Sequence, residues 1–508
     1  MKREKPGPNL PGETGMDKSS IIFGNPIAPG IVQKAERQKT AYIKKFGDDS
    51  QKEFLLLSRN VASLEPLGIE QLLVQDASTV LEGDWKKSNL ASDPHALVVG
   101  NIRMGFGHYR ISIAIASAAR AMGKNPYWFD LHSFKDTTGG KIIAHLNSLY
   151  SLGSRLSQKY ALFNSLYWEP LNSEGFRKLG YNAADQKTAE LMATPCRLLP
   201  KEVPYVATHV WPAQAAIHSG MERVVNVIPD NWPMALHLSE GAIHCVQSPS
   251  AWFGYKTLRG MAGKSIPRFM NPQSLVYTGH YIDHELVANV EQDTGARKTR
   301  LATLQPLRIL LSVGGAGAQR ELYARLIRTL LPLEKRGKVA ILINVGDHQS
   351  VLEGLLSDIP ELQDANKHIN DWNETKAFAE KALHETVAGI HLFMHFDIFQ
   401  AVYTTNLLMR ASDLLVTKPS ELAFYPVPKL LVRRVGGHEA WGAIRSAELG
   451  DGTFECGDPK EAEAMLKFLV EDQEGLSLMN SCILSANKAG LYSGAYRAVE
   501  LALQGGTK

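Results

Sequence analysis

Cysteine is scarce in this chain of 508 residues: Cys196, Cys245, Cys456 and Cys482 are the only four, far apart and with no C-x-x-C pair. Such spacing suggests neither a zinc site nor a disulfide scaffold, and isolated thiols in a reducing cytoplasm are the plain reading. An excess of charge of one sign is also missing. Lys and Arg number 55 against 52 Asp and Glu, a formal net charge of +3, so no strong field argues for nucleic acid. No window holds the ~20 uncharged apolar residues of a membrane-spanning helix. The opening "MKREKPGPNLPGETGMDKSS" is polar and rich in Pro and Gly, without the apolar run of a signal peptide. A cytoplasmic location is expected, which leaves room for lying on a membrane surface.

What is present is ordinary globular material, with 44% hydrophobic and 21% charged residues. At roughly 150 residues per domain the length allows two to four domains. Residues 1–95 read as an N-terminal extension with a disordered start, and "KEFLLLSRNVASLEPLGIEQLLV" within it has helical spacing. From Ala96 short apolar runs alternate with helix-like segments: "HALVVGN", "YRISIAIASAARAMG", "NPYWFDL", "VPYVATHV", "ERVVNVIPD", "AIHCVQSP". A second series follows "EQDTGARKTRLATLQP", beginning with "LRILLSVGGAGAQ" and "RELYARLIRTLLPLEKRG". Short buried strands alternating with helices argue for parallel α/β sheets. The expected architecture is two Rossmann-like domains, 96–290 and 304–475, joined by a linker at 291–303, with helices at 476–508 returning to the first domain.

Each half opens with a strand, a glycine loop and a helix. Such a loop lets the backbone approach a ligand closely and leaves the helix N–H groups pointing at it. The first loop is "MGFGH", with Gly105 and Gly107; the second is "SVGGAGAQR", with Gly314, Gly315 and Gly317. Neither fits G-x-G-x-x-G, since Arg110 and Arg320 stand where the last glycine belongs, and this disfavours NAD. His108 follows the first loop. A helix N-terminus disfavours an imidazolium, so this histidine is a candidate base. It serves equally as the polar opening residue of a helix.

These loops and the segments after them resemble the GT-B glycosyltransferases of family 28, which include monogalactosyldiacylglycerol synthase, processive diacylglycerol glucosyltransferases and the lipid II-forming N-acetylglucosaminyltransferase. "MGFGH" occupies the place of the family's G-G-H loop, and "VVNVIPDNWPMALHLSEGAIHCVQSPS" that of its V-x-T-D segment, with Asp230 at the acid. "LVYTGHYID", "ILLSVGGAGAQ", "RASDLLVTKPSELAFYPVPKLLV" and "GGHEAWGAIRSAELGDGTFECGDPKEAEAML" follow in the family's order. The likeness covers roughly Ala96 to Val470. His438 stands where glutamine is usual and Ala443 where asparagine is common, which leaves the donor sugar open.

The resemblance implies a metal-independent inverting glycosyltransferase with two facing domains and a cleft between them. It implies His108 as general base, with Gly105, Gly107 and Asp230 lining the acceptor side. Gly314, Gly315, Gly317, Lys418, Ser420, Glu421, His438 and Glu439 would bind a nucleotide-sugar donor, most simply a UDP-sugar acting as substrate, with no cofactor. Glu421 would hold the ribose hydroxyls, although "SELAFY" also reads as a helix start capped by Ser420. The acceptor would be a lipid. Leu146 to Tyr181 interleaves Tyr160, Phe163, Tyr167 and Trp168 with Arg155, Lys159, Arg177 and Lys178, a composition suited to an anionic membrane surface on the inner face of the cell membrane and equally to an amphipathic helix pair on the sheet. Two other readings share the fold: a nucleotide-sugar 2-epimerase and a non-catalytic nucleotide-sugar binder.

Overall fold

The computed structural model describes residues 17–79, 83–103, 105–159, 175–313 and 319–504. Its strands are β1 (Ile21–Ile22), β2 (Asn25–Pro26), β3 (Phe54–Asn60), β4 (Glu70–Asp76), β5 (Lys86–Lys87), β6 (Ala96–Asn101), β7 (Asn125–Asp130), β8 (Tyr205–Ala207), β9 (Val224–Val227), β10 (Ile243–Val246), β11 (Leu275–Tyr277), β12 (Leu307–Ser312), β13 (Val339–Asn344), β14 (Asn366–Ile369), β15 (Ile390–Met394), β16 (Leu414–Thr417) and β17 (Lys429–Leu431). β1 and β2 form a small hairpin, and the others form two sheets ordered β11-β10-β9-β8-β6-β7-β4-β3-β5 and β14-β15-β13-β12-β16-β17. Every pairing in the second sheet is parallel. In the first, only β3 pairs antiparallel, with β4 and β5.

The fold is thus α/β with two doubly wound domains, as the alternation of short strands and helices implied. β6 and β12 are buried at every position, because helices cover both faces of a parallel sheet. In each domain the chain lays strands to one side of its first parallel strand and then returns to the other. The order reverses between β6 and β8 in the first domain, and between β12 and β16 in the second. Ligands of open α/β sheets bind outside the carboxyl ends of the strands at such a reversal.

The helix Phe106–Ala121 follows β6 and is buried along most of its length. Ala114, Ala116, Ala118 and Ala119 let neighbours come close, and the C-terminal helix Gly494–Gln504 packs against it through Ala495, Ala498, Val499 and Ala502. It ends in a Schellman turn: Lys124 N–H donates to Ala119 O (2.9 Å) and Gly123 N–H to Arg120 O (3.0 Å), with Gly123 at φ +72°. Phe399, Val402 and Tyr403 of the second domain join the same apolar cluster. Tyr109 and Phe399 each set a ring edge-on to Trp128, at 4.9 and 5.0 Å. The two domains therefore meet through packed side chains beneath the cleft.

Two boundaries differ from the sequence expectation. The stretch 1–95 is not a separate extension, because β3, β4 and β5 continue the first sheet beyond β7. "FLLLSRN", read with helical spacing, is a strand with Phe54 and Leu57 buried. A short apolar run does not distinguish helix from strand by periodicity, and here the open edge of the sheet decides. Nor is 291–303 a linker, since Val290–Ala302 is a helix. Arg297 donates to the carbonyls of Ser412, Met409 and Pro426 (2.8, 3.1 and 3.3 Å), and Arg300 pairs with Asp413 at 2.8 Å. Two of the polar residues that suggested a linker, Arg297 and Arg300, are buried donors to the second domain.

Candidate functional site

β6 leads into the first glycine loop. Gly105 has φ +106°, a backbone region that L side chains rarely adopt. A methyl group at Gly107 would stand 3.1 Å from Glu421 Oε2, so the glycine lets the two domains approach. His108 lies in the first turn of the helix, with Nδ1 2.6 Å from Thr208 O. A carbonyl only accepts, so Nδ1 carries the hydrogen and Nε2 the lone pair. Thr208 follows β8, and this contact spans the two strands that flank the reversal. Burial lowers the His108 pKa, against the raising effects of the Thr208 carbonyl and of Asp230. The imidazole is neutral and fixed in one tautomer.

Three further groups of the first domain surround it. The His209 ring lies edge-on to His108 at 4.8 Å, and burial, with the two neighbouring imidazoles, pushes its pKa well down. Asp230, beyond the end of β9, lies 3.2 Å from His237 Nε2. Burial would raise this carboxyl, but His438, His237 and His108 together hold it well below the usual carboxylate range. Asp230 is therefore an anion among imidazoles, one of them from the opposite domain. Trp232 meets Trp441 across the cleft with ring centroids 5.6 Å apart.

The second domain presents the loop after β16. Glu421 receives Arg110 Nε at 3.4 Å. It opens a single 3-10 turn, Glu421–Phe424, which Ser420 precedes without a side-chain capping bond, so Ser420 does not cap a helix. Lys418 is ion-paired with Glu439 Oε1; burial lowers its pKa, but Glu439 and Glu421 outweigh that and raise it. Glu439 Oε2 accepts the N–H groups of Val435 (2.7 Å) and Gly436 (3.2 Å). Both oxygens of Glu439, expected to reach a sugar, are committed to Lys418 and to its own loop. His438 stands beside them within electrostatic reach of Asp230.

The structure thus gathers His108, Gly105, Gly107, Asp230, Lys418, Ser420, Glu421, His438 and Glu439 around one cleft, where the two strand-order reversals face each other. Gly314, Gly315 and Gly317 lie outside the described residues, as do Tyr160, Phe163, Tyr167 and Trp168. Of the basic residues in Leu146–Tyr181, Arg177 donates to Arg259 O (3.2 and 3.0 Å) and covers the Trp232 ring at 4.9 Å, and Lys178 donates to Gly260 O (3.0 Å). These two are tied to the first domain's own chain. Among the described residues no helix is long and apolar enough to cross a membrane.

Sequence reasoning missed Arg110. This buried guanidinium reaches from the first domain to Val402 O (3.1 Å) and to Asn406 Oδ1 in the second. Asn406 donates to Asp283 Oδ1 (2.9 Å), whose other oxygen accepts the Tyr425 hydroxyl (2.8 Å). Burial, reinforced by Glu285, raises Asp283 to about 7. His209 and His237 were also missed. His209 was reachable by one rule, since it stands just beyond the strand flanking the reversal.

Residues 21–257 match a family described as a domain of unknown function (DUF6937), and residues 270–503 match a second one (DUF6938). No curated protein matches the chain. Among solved structures it is similar to the UDP-GlcNAc 2-epimerase from Neisseria meningitidis, with 12% identity over 80% of this chain and 99% of that one at a TM-score of 0.41. It is similar to a putative UDP-N-acetylglucosamine 2-epimerase from Listeria monocytogenes (13%, 79% and 94%, TM-score 0.43). An alpha,alpha-trehalose-phosphate synthase (UDP-forming) from Burkholderia vietnamiensis is a third (12%, 80% and 99%, TM-score 0.38).

Proposed function

We propose that this protein transfers a sugar, with inversion, from a nucleotide-linked donor to a hydroxyl group of a lipid acceptor. The observation that carries the reading is the neutral, main-chain-oriented imidazole of His108 at one strand-order reversal, with Glu421 of the other reversal against Gly107. In the transfer the acceptor hydroxyl gives its proton to His108 Nε2, and its oxygen bonds to the anomeric carbon. The carbon–oxygen bond to the diphosphate breaks, and the nucleoside diphosphate leaves with the electron pair. A positioned base is worth about 10²–10⁴ in rate, and alignment of two substrates between domains contributes through orientation.

The leaving diphosphate, UDP in this reading, would meet Lys418 and the N-terminus of the helix Arg320–Glu334, where charge that develops on phosphate oxygens is stabilised. Glu421, held by Arg110, would accept hydrogen bonds from ribose hydroxyls. Asp230, anionic beside His108, stabilises the imidazolium formed when the acceptor proton is taken up. Neither this arrangement nor the proton transfer calls on a metal or other cofactor.

The test is a thermal-shift screen against nucleotides and nucleotide sugars, since a ligand of the native state raises its apparent stability. Incubation of the best donor, isotopically labelled, with a lipid extract follows. Label entering the lipid phase only with active protein is the expected result. Conversion of the donor alone, with no acceptor, would assign an epimerase instead, and binding without either reaction a non-catalytic binder.

A further inference from the structure

Between Glu240 and Asp283 the chain carries four cations, Lys256, Arg259, Lys264 and Arg268, and no carboxylate side chain. The same stretch contains three of the most exposed large apolar side chains: Phe253 (64%), Ile266 (88%) and Phe269 (53%). Local structure holds them outside. Asn25 Nδ2 donates to Arg268 O (3.0 Å), and Asn25 Oδ1 accepts from Arg268 N–H (2.7 Å). The hairpin of β1 and β2 therefore clamps the backbone beside Phe269. On the other side Met270 is buried at 1% exposure, and its N–H donates to Lys256 O (3.0 Å). Phe269 thus stands exposed between two residues whose backbone is fixed. The Met270 bond also ties this loop to the end of the helix Pro249–Lys256, which carries Phe253.

The cations complement the apolar tips. Arg259, Lys264 and Arg268 are exposed, and no described residue forms an ion pair with them. Apolar side chains that project from a surface of unneutralised cations fit a bilayer with anionic headgroups, where the tips enter the acyl boundary and the cations stay among the phosphates. The patch is also continuous with the acceptor side of the cleft. Ser248 caps the helix that bears Phe253, and its hydroxyl donates to Asn231 Oδ1 (2.9 Å) beside Asp230. Arg177, which covers Trp232, is bonded to Arg259 O.

We propose that Phe253, Ile266 and Phe269, with Arg259, Lys264 and Arg268, form the surface by which this protein docks on an anionic membrane, next to the mouth of the cleft. The proposal deepens the reading of a lipid-borne acceptor and rests on it for its purpose. It relocates the membrane contact expected from Leu146–Tyr181 to a surface formed by 253–269.

The test uses the full chain in co-sedimentation with vesicles of phosphatidylcholine, with and without phosphatidylglycerol, at low and high salt. Wild type is expected to bind only vesicles containing phosphatidylglycerol, and less at high salt. The triple variant F253S/I266S/F269S should lose about ten-fold or more in partitioning, and K264E/R268E should lose the dependence on phosphatidylglycerol. These substitutions are at exposed positions, and circular dichroism should show unchanged folding. Wild-type binding that survives both variants, or no binding by wild type, overturns the proposal. So does a wild-type dimer in vesicle-free solution that the triple variant abolishes, since the patch would then belong to a second copy. Failure of the donor reading shows separately, as vesicle binding without any response to nucleotide sugars.

Discussion

Replacing Arg110 by methionine removes the guanidinium that joins the two domains while keeping the length and apolar body of the side chain. Arg110 is 2% exposed. Its acceptors are Val402 O (3.1 Å), Asn406 Oδ1 and, at a longer 3.4 Å, Glu421. Hydrogen bonds to charged groups contribute about 1.5–3 kcal/mol each. The two bonds to Val402 and Asn406 are fully enclosed and fall in that range. The Glu421 contact is long, and its carboxylate keeps 14% of its exposure, so it adds less than about 1 kcal/mol. Asn406 would keep its bond to Asp283, which limits the loss. A destabilisation of about 3–5 kcal/mol is expected, mostly from the loss of two enclosed hydrogen bonds from a charged donor. Urea unfolding measures it, and because the contacts cross between domains the variant should also show separate domain transitions. The double variant R110M/N406A should be less destabilised than the sum of the single changes by about 1–3 kcal/mol. An R110M midpoint equivalent to less than about 1 kcal/mol, with an unchanged slope, would refute the assignment of Arg110 as a domain latch.

His108→Ala should lower transfer by about 10²–10⁴-fold with donor affinity unchanged, and near-wild-type turnover would reduce His108 to a helix residue. In wild type the rate should fall as pH drops through the His108 pKa, and because burial lowers that pKa the acid limb should lie below the ordinary imidazole range of about 6.5. Glu421→Ala should weaken nucleotide binding by about 1–3 kcal/mol in calorimetry; unchanged affinity would remove Glu421 from the site. Asp185 supplies a stability test away from the cleft. Burial raises its carboxyl from 3.8 to about 8, so between those values the folded state binds a proton that the unfolded state does not, and stability should decline as pH rises through that window. Asp185→Asn, neutral throughout, should flatten this decline; a parallel pH dependence of melting temperature in both proteins would refute it.

The legible part of the site follows from local chemistry. The glycines at 105 and 107 and the histidine after them mark a strand–loop–helix junction in any reading, and "TKPSE" marks the loop that carries Lys418 and Glu421. Arg110 illustrates what was not legible. In sequence it is a charged residue near the start of a largely apolar helix, and its partner Asn406 lies 296 positions away. Nothing near Arg110 marks it as buried or paired. Glu439 reads from the sequence as a ligand of the donor sugar's hydroxyls, and its bonds to Lys418 and to the loop backbone appear only once the chain has turned at Gly436 and Gly437.

The sequence by itself determined the α/β class and the two-domain organisation, because buried parallel strands need apolar runs and the helices between them need their own periodicity, and both are local patterns. Tertiary structure decided that "FLLLSRN" is a strand, since an open sheet edge supplied hydrogen-bond partners that the segment lacks alone. It decided that Val290–Ala302 is a packed helix, since carbonyls more than a hundred positions away satisfy Arg297. It also decided which residues share the cleft. Strand order sets which loops meet, and strand order is a property of non-local pairing that no stretch of sequence contains.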